Sequence, residues 1–231
     1  MNLHEWQNVA RDGSVRVLKY SFGPGSANTL AAKLDDGTWV VISPCASAPG
    51  AALDALAKDG EVSALVAPNG YHHMGQAVWR ARFPKAVSYA PEGAIERLGK
   101  KSAGVPYRPL ADLSAKLPAR VRFCVPEGMK VPDVLAKIGA PEGPIWFSGD
   151  LISNTVDDDL SFLPRLIVGL LGGGAGYRVN PVPALVYVKD KAGWRASVRK
   201  LMDDGPIAAV VPAHGLPVTD DVLGRTRAML G

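Results

Sequence analysis

Ala67-Pro68-Asn69-Gly70-Tyr71-His72-His73-Met74-Gly75 is the stretch on which the reading of this chain turns. It follows the apolar run Val62 to Ala67, which suits a strand, and precedes Met74 to Phe83, where apolar residues at 74, 78, 79 and 83 have helical spacing. The histidine pair therefore falls between a strand and a helix. Only four histidines occur in 231 residues, and a third, His214, ends another apolar run in Val210-Val211-Pro212-Ala213-His214-Gly215. A carboxylate ends a run of the same kind, Ile145-Trp146-Phe147-Ser148-Gly149-Asp150. Strand ends are rigid, and neutral imidazole with carboxylate suits zinc or iron, so the three segments predict a metal centre and a metallohydrolase built on it.

Working outward, Val15 to Phe22, Ala27 to Leu34 and Trp39 to Ser43 read as strands, the last two joined by the hairpin signal Asp35-Asp36-Gly37. Ala51 to Lys58 reads as a helix, Ala86 to Tyr89 as a strand, Gly93 to Leu98 as a helix and Val121 to Val125 as a strand. Ile145 to Ser148 suits a buried strand, Gly193 to Met202 a helix, Ile207 to Val211 the last strand and Val218 to Leu230 the closing helix. A hairpin-rich first half, then alternating helix and strand with polar residues at strand ends, predicts a single domain over 1–231. Its expected architecture is α/β: two mixed sheets with helices outside, a four-layer αββα sandwich.

Composition sets the outer limits. Hydrophobic residues are 47% and charged residues 21%, the balance of a globular protein with a sizeable core. The net charge of +4 is carried by scattered Lys and Arg, with Lys100-Lys101 and Arg199-Lys200 the only adjacent pairs, so no clustered stripe for nucleic acid is expected. Cys45 and Cys124 lack metal or disulfide spacing and read as small buried hydrophobes. Met1 to Arg16 lacks the apolar core of a secretory signal, which points to the cytoplasm. The longest apolar stretch is interrupted by Pro164 and Arg165 and is too short to span a bilayer. No membrane association is expected, and the expected partner is a small-molecule substrate.

With these residues in hand, the chain resembles the metallo-β-lactamase superfamily, over about Val15 to Thr219. The family's first motif, H-x-H-x-D-H followed by an apolar residue and Gly, matches Pro68-Asn69-Gly70-Tyr71-His72-His73-Met74-Gly75 in its second half. Its later Gly-Asp matches Gly149-Asp150, and its last strand-end histidine matches His214. Pro68 and Gly70 stand where the first two histidines would be, and Val125-Pro126-Glu127-Gly128 stands where a Pro-Gly-His is expected. The resemblance thus implies that the first of the family's two metal sites has lost its histidines. It implies at most one zinc or iron ion, held by His72, His73, Asp150 and His214. Four protein ligands would close a tetrahedral site, so turnover would require Asp150 to be displaced or to act as the base for water.

Each residue also has a plainer reading. His72 or His73 could cap the helix start, Asp150 could be a turn residue, and His214 could bond backbone. Glu127 could replace the missing middle ligand or be a solvated turn residue. Tyr71 and Tyr177 could donate to an oxyanion or simply line a pocket. Leu160 to Leu171 could be a lid, a dimer face or a core helix. Two functions follow: a metal-dependent hydrolase with at most one metal, or a non-catalytic protein of the same fold serving as a binding or interaction module.

Overall fold

Along Val15–Ser21 (β2) and Ser26–Lys33 (β3), side chains alternate between two faces that are both buried, which requires a layer on each side of the sheet. The computed structural model describes residues 2–23, 25–156, 174–203 and 205–231; the apolar segment 160–171 lies outside them. Trp6–Asn8 (β1), β2, β3 and Trp39–Ile42 (β4) form an antiparallel run. At the β3–β4 hairpin, Asp36 Oδ1 accepts from the Thr38 backbone N–H at 2.9 Å and Gly37 takes φ +83°, as the turn signal requires.

From β4 the sheet continues in parallel through Val62–Val66 (β5), Val87–Ala90 (β6) and Tyr107–Pro109 (β7). Gly50–Asp59 (α1), Gln76–Arg82 (α2) and Glu92–Lys101 (α3) make the crossovers, and Leu110–Ser114 (α4) follows. The result is one seven-stranded sheet in the order β1 to β7.

The second sheet has the order β13-β10-β9-β8, built from Val121–Cys124 (β8), Leu135–Ala140 (β9), Gly143–Phe147 (β10) and Ala209–Val211 (β13). Only β10 and β13 pair in parallel. Ile152–Thr155 (β11) and Gly176–Val179 (β12) pair separately, and Pro181–Tyr187 (α5), Lys191–Met202 (α6) and Val222–Leu230 (α7) complete the chain.

Three apolar clusters define the layers. Val17, Leu30, Ile42 and Val66 of the first sheet pack face to face with Ile138, Ile145, Phe147 and Val211 of the second. Leu18, Trp39, Val41 and Leu65 point the other way, against Leu53 and Leu56 of α1 and Trp79 of α2. Leu135, Trp146 and Val210 meet Trp194 and Val198 of α6 and Val222 and Leu230 of α7. The expected αββα sandwich is the structure found.

Two expected helices begin later than their periodicity indicates. α2 starts at Gln76, and Gly75 just ahead of it lies against the Pro44 and Cys45 backbone, with no room for a Cβ. α7 starts at Val222 because Val218 pairs with Val210 in an isolated bridge. Cys45 is fully buried, its thiol pushed up to about 11 by burial. Cys124 is only half-buried.

Candidate metal centre

The strands β4, β5, β10 and β13 end at the same edge of the sandwich, and backbone hydrogen bonds tie the segments that follow them. Ser43 N–H donates to Val66 O at 2.9 Å, Ser148 N–H to Val211 O at 3.1 Å, and Ala213 N–H to Gly149 O at 3.0 Å. The Asn28 side chain, fully buried, donates to Pro212 O and Gly215 O at 2.8 Å each and so holds the last loop.

On this frame His72, Asp150 and His214 converge, each offering one ligand atom, all within 4.8 Å of one another. His72 Nε2 lies 2.8 Å from Asp150 Oδ1 and His214 Nε2 3.4 Å from the same oxygen. The other carboxylate oxygen, Oδ2, accepts from Asn69 Nδ2 at 2.8 Å and from the Tyr187 hydroxyl at 3.1 Å. Asp150 therefore presents one oxygen to the histidines while buried donors hold the other.

The outer ring nitrogens are also engaged. His214 Nδ1 donates to Ser26 O at 2.9 Å. A carbonyl only accepts, so in the neutral ring Nε2 is left with a bare lone pair facing a carboxylate. His72 Nδ1 lies 2.7 Å from Ser43 Oγ.

Beneath the three residues lies Asp133, which accepts from the backbone N–H of Asp150 at 2.8 Å, from that of Leu151 at 3.1 Å and from Asn69 Nδ2 at 2.9 Å. This explains the Gly149-Asp150 pair physically. A Cβ on residue 149 would stand 2.5 Å from an Asp133 oxygen, and Gly149 takes φ +62°.

The electrostatics follow from burial. Burial and the neighbouring charge of Asp150 push the Asp133 carboxyl up to about 7. Burial also acts to raise Asp150, but the charge and hydrogen bonds of His72 and His214 outweigh it and hold this carboxyl well below its usual range. For His214, burial favours the neutral ring, yet the hydrogen bond and charge of Asp150 prevail and raise it. Burial and the adjacent carboxylates raise Tyr187.

A cavity of about 220 Å³ opens onto the three residues, walled by Tyr20, Phe22, Pro44, Tyr71 and Met74. Among the described residues lining it there is no Lys or Arg. The side chains of His72 and Asp150 are 9% and 7% exposed and that of His214 26%, so access is along the His214 side.

His73 stands apart. Its Nδ1 donates to Tyr71 O at 3.0 Å, and its carbonyl accepts from Ser102 Oγ and Gln76 N–H. The turn after Asn69 sends the two adjacent rings in different directions, and His73 is used in the lead into α2. Tyr71 lines the cavity, its ring stacked on Tyr187 with centroids 5.4 Å apart and covered by the Arg97 guanidinium at 4.0 Å. Tyr177 is turned away, hydrogen-bonded to Thr226 at 3.0 Å. Glu127 lines a separate cleft beside α6 and does not join the centre.

Sequence reasoning missed Ser43, Asn69, Asp133 and Tyr187. Asn69 sits inside the decisive stretch, beside the histidines it supports. Ser43, at the end of a strand read correctly, carries one local sign, a polar residue closing an apolar run. Asp133 and Tyr187 carry no local signal, since only tertiary packing brings a loop aspartate and a helix-end tyrosine under residue 150.

Two neutral imidazoles and a carboxylate fit a zinc or iron ion. The lone pair of His214 aimed at Asp150 is what a cation placed between them would satisfy.

No protein-family model matches this chain, and neither does any curated protein. Solved structures do. The crystal structure of DIM-1 metallo-β-lactamase aligns with a TM-score of 0.62 at 16% identity over 98% of this chain and 96% of that one. A structure of TMB-1, concerned with residues 119 and 228 in substrate and inhibitor binding, aligns with a TM-score of 0.59 at 15% identity over the same shares. DIM-1 exposed to ceftazidime gives 0.58 at 14% identity, over 98% and 95%. The four-layer sandwich of this chain is thus the metallo-β-lactamase fold.

Proposed function

We propose that the protein is a metal-dependent hydrolase with a single metal site made by His72, Asp150 and His214, acting on a small-molecule substrate. One observation carries this reading: both Nε2 atoms approach the same carboxylate oxygen, at the floor of a cavity of about 220 Å³. Three protein ligands are the number found at catalytic zinc sites, which keep a position open, whereas a fourth from His73 would make a closed, structural one. Pro68 and Gly70 offer no side-chain ligand, which is why one ion per chain is expected. Bound there, zinc supplies an acidified water and a Lewis acid for a carbonyl or phosphoryl oxygen.

The chain's own residues would do the rest. Asn69 and Tyr187 fix Asp150 through Oδ2, and Ser26 and Ser43 fix the two rings. Tyr71, Phe22 and Met74 give the substrate an apolar wall.

The 2.8 Å contact between His72 and Asp150 favours a second reading, because it satisfies both groups without an ion. In that reading the pocket belongs to a non-catalytic binding protein. Elemental analysis of zinc-equilibrated, desalted protein, with hydrolysis of a short-chain nitrophenyl ester measured alongside, separates the two. One zinc per chain and zinc-dependent turnover are expected. Absence of bound metal would leave the binding-protein reading.

A further inference from the structure

The helical layer over the second sheet is incomplete. Successive strand residues alternate between faces, and Val121, Ile138 and Ile145 fill the core between the sheets, so their neighbours Arg122, Lys137 and Trp146 stand on the outer face. Register joins these three into one row, Arg122 opposite Lys137 and Lys137 opposite Trp146. α6 and α7 cover the outer face over β9, β10 and β13 with an apolar cluster that no described residue of β8 joins. A cleft of about 730 Å³ is left between β8 and α6, within the size range of small-molecule sites and larger than the cavity at the metal centre. The two share no described lining residue.

Like charges directly opposed across an antiparallel pair repel each other, and Arg122 and Lys137 are so opposed. Lys200 of α6 lines the same cleft as a third cation. Two carboxylates line it too, but Asp203 is paired at 2.8 Å with Arg227, which lies outside the lining, so Glu127 is the other acid among the described residues. Arg122 is held through Nε, which donates to Ala119 O at 3.2 Å, and its terminal N–H groups are those with which a guanidinium grips a carboxylate or phosphate. Apolar surface lies beside the cations: Trp146, Leu201 and Val125, the last 44% exposed. Lys137 Nζ is 5.8 Å from the centroid of the Trp146 ring, so charge and ring adjoin. Cations beside an aromatic and two aliphatic side chains suit a ligand with an acid group at one end and an apolar body at the other.

We propose that this cleft is a second ligand site, for a small organic anion: a carboxylate or phosphate carried on an apolar body. Arg122 from the sheet and Lys200 from the helix receive the acid group, and Trp146, Leu201 and Val125 receive the body. Lys137 adds its charge from between Arg122 and Trp146. The bound anion offsets the repulsion built into the row. Nothing in this depends on His72, Asp150 and His214 holding a metal.

The test uses the full chain and calorimetry, with naphthoate and naphthyl phosphate as probes and with naphthol and inorganic phosphate as their apolar and anionic halves. Cys124 lines the cleft whereas Cys45 is fully buried, so alkylation of Cys124 by iodoacetamide gives a second readout on the wild-type protein. One naphthyl anion per chain is expected, bound more tightly than either half and slowing that alkylation; the tighter of the two naphthyl acids identifies the acid group. Arg122→Gln and Lys200→Gln, both at exposed positions, should keep the wild-type melting temperature and bind the anion about 10–100-fold more weakly, the loss expected when a hydrogen bond to a charged group is removed. Binding should be the same in zinc-equilibrated and chelator-treated protein, which separates the cleft from the metal centre. No binding by wild type, naphthol bound as tightly as the anions, or wild-type affinity in both variants overturns the proposal. So does Cys124 alkylation that saturating anion leaves unchanged, or anion binding that appears only with zinc.

Discussion

The two loops that deliver the histidines are secured by different means. The loop after β13 is held through backbone carbonyls: Asn28 grips Pro212 O and Gly215 O, Asn28 N–H donates to Ala213 O, and His214 itself is anchored on Ser26 O. The loop after β5 is held through side chains, with Asn69 bridging Asp133 and Asp150 and the Ser43 hydroxyl bracing His72. Carbonyl acceptors belong to the backbone and survive most substitutions. Side-chain partners can each be lost in one step. The difference teaches that the His214 side behaves as part of the fold, while the His72 side is a constructed polar network whose pieces depend on one another.

The largest effect expected from breaking this contrast is on the β5 side. Asn69→Ala removes three hydrogen bonds of a fully buried side chain and leaves Asp133 and Asp150 each short of a donor. Destabilisation of about 3–5 kcal/mol, measured by denaturant unfolding, is expected, as for one partner removed from a buried charged network. A loss under about 1 kcal/mol would mean that the network is not structurally coupled.

Asn28→Ala is expected to cost less, about 1–3 kcal/mol, because the carbonyls it frees are neutral and the strand frame remains. A cost equal to that of Asn69→Ala would erase the distinction between the loops.

pH sharpens the same comparison. The Asp133 carboxyl is raised to about 7, so the stability it contributes is fully present below its ordinary value near 3.8 and is lost as pH rises toward 7. His214 is raised as well, and its contribution is present below 6.5 and lost as pH climbs through its shifted value. The melting temperature of the metal-free protein should therefore fall between pH 5 and pH 8. The stabilisation added by zinc should grow over the same interval, because ligands must shed protons to bind it. A metal-free melting temperature rising through this range would contradict the assigned charge states.

Much of this was legible in the sequence, and for a physical reason. Strand ends that carry His or Asp after apolar runs fixed the places of His72, Asp150 and His214, and the alternation of buried runs with helical spacing implied two sheets under helices. Gly149 and Gly75 could be seen but not explained: the first makes room for Asp133 and the second for the Pro44 and Cys45 backbone, contacts known only once distant segments meet. His73 misled because adjacency in sequence says nothing about where a turn sends two successive side chains. β9, β11 and β12 escaped detection because Lys137, Gly139, Asn154 and Arg178 dilute the apolar pattern in strands that pack mainly by tertiary contact.

The central claim, one metal held by three particular residues, is tested most directly by zinc stoichiometry of the wild-type protein beside His72→Ala and His73→Ala. The account expects one zinc per chain in wild type and in His73→Ala, whose ring is committed to Tyr71 O, and little or none in His72→Ala. Two zinc ions per wild-type chain, or loss of the metal in His73→Ala with retention in His72→Ala, would contradict it.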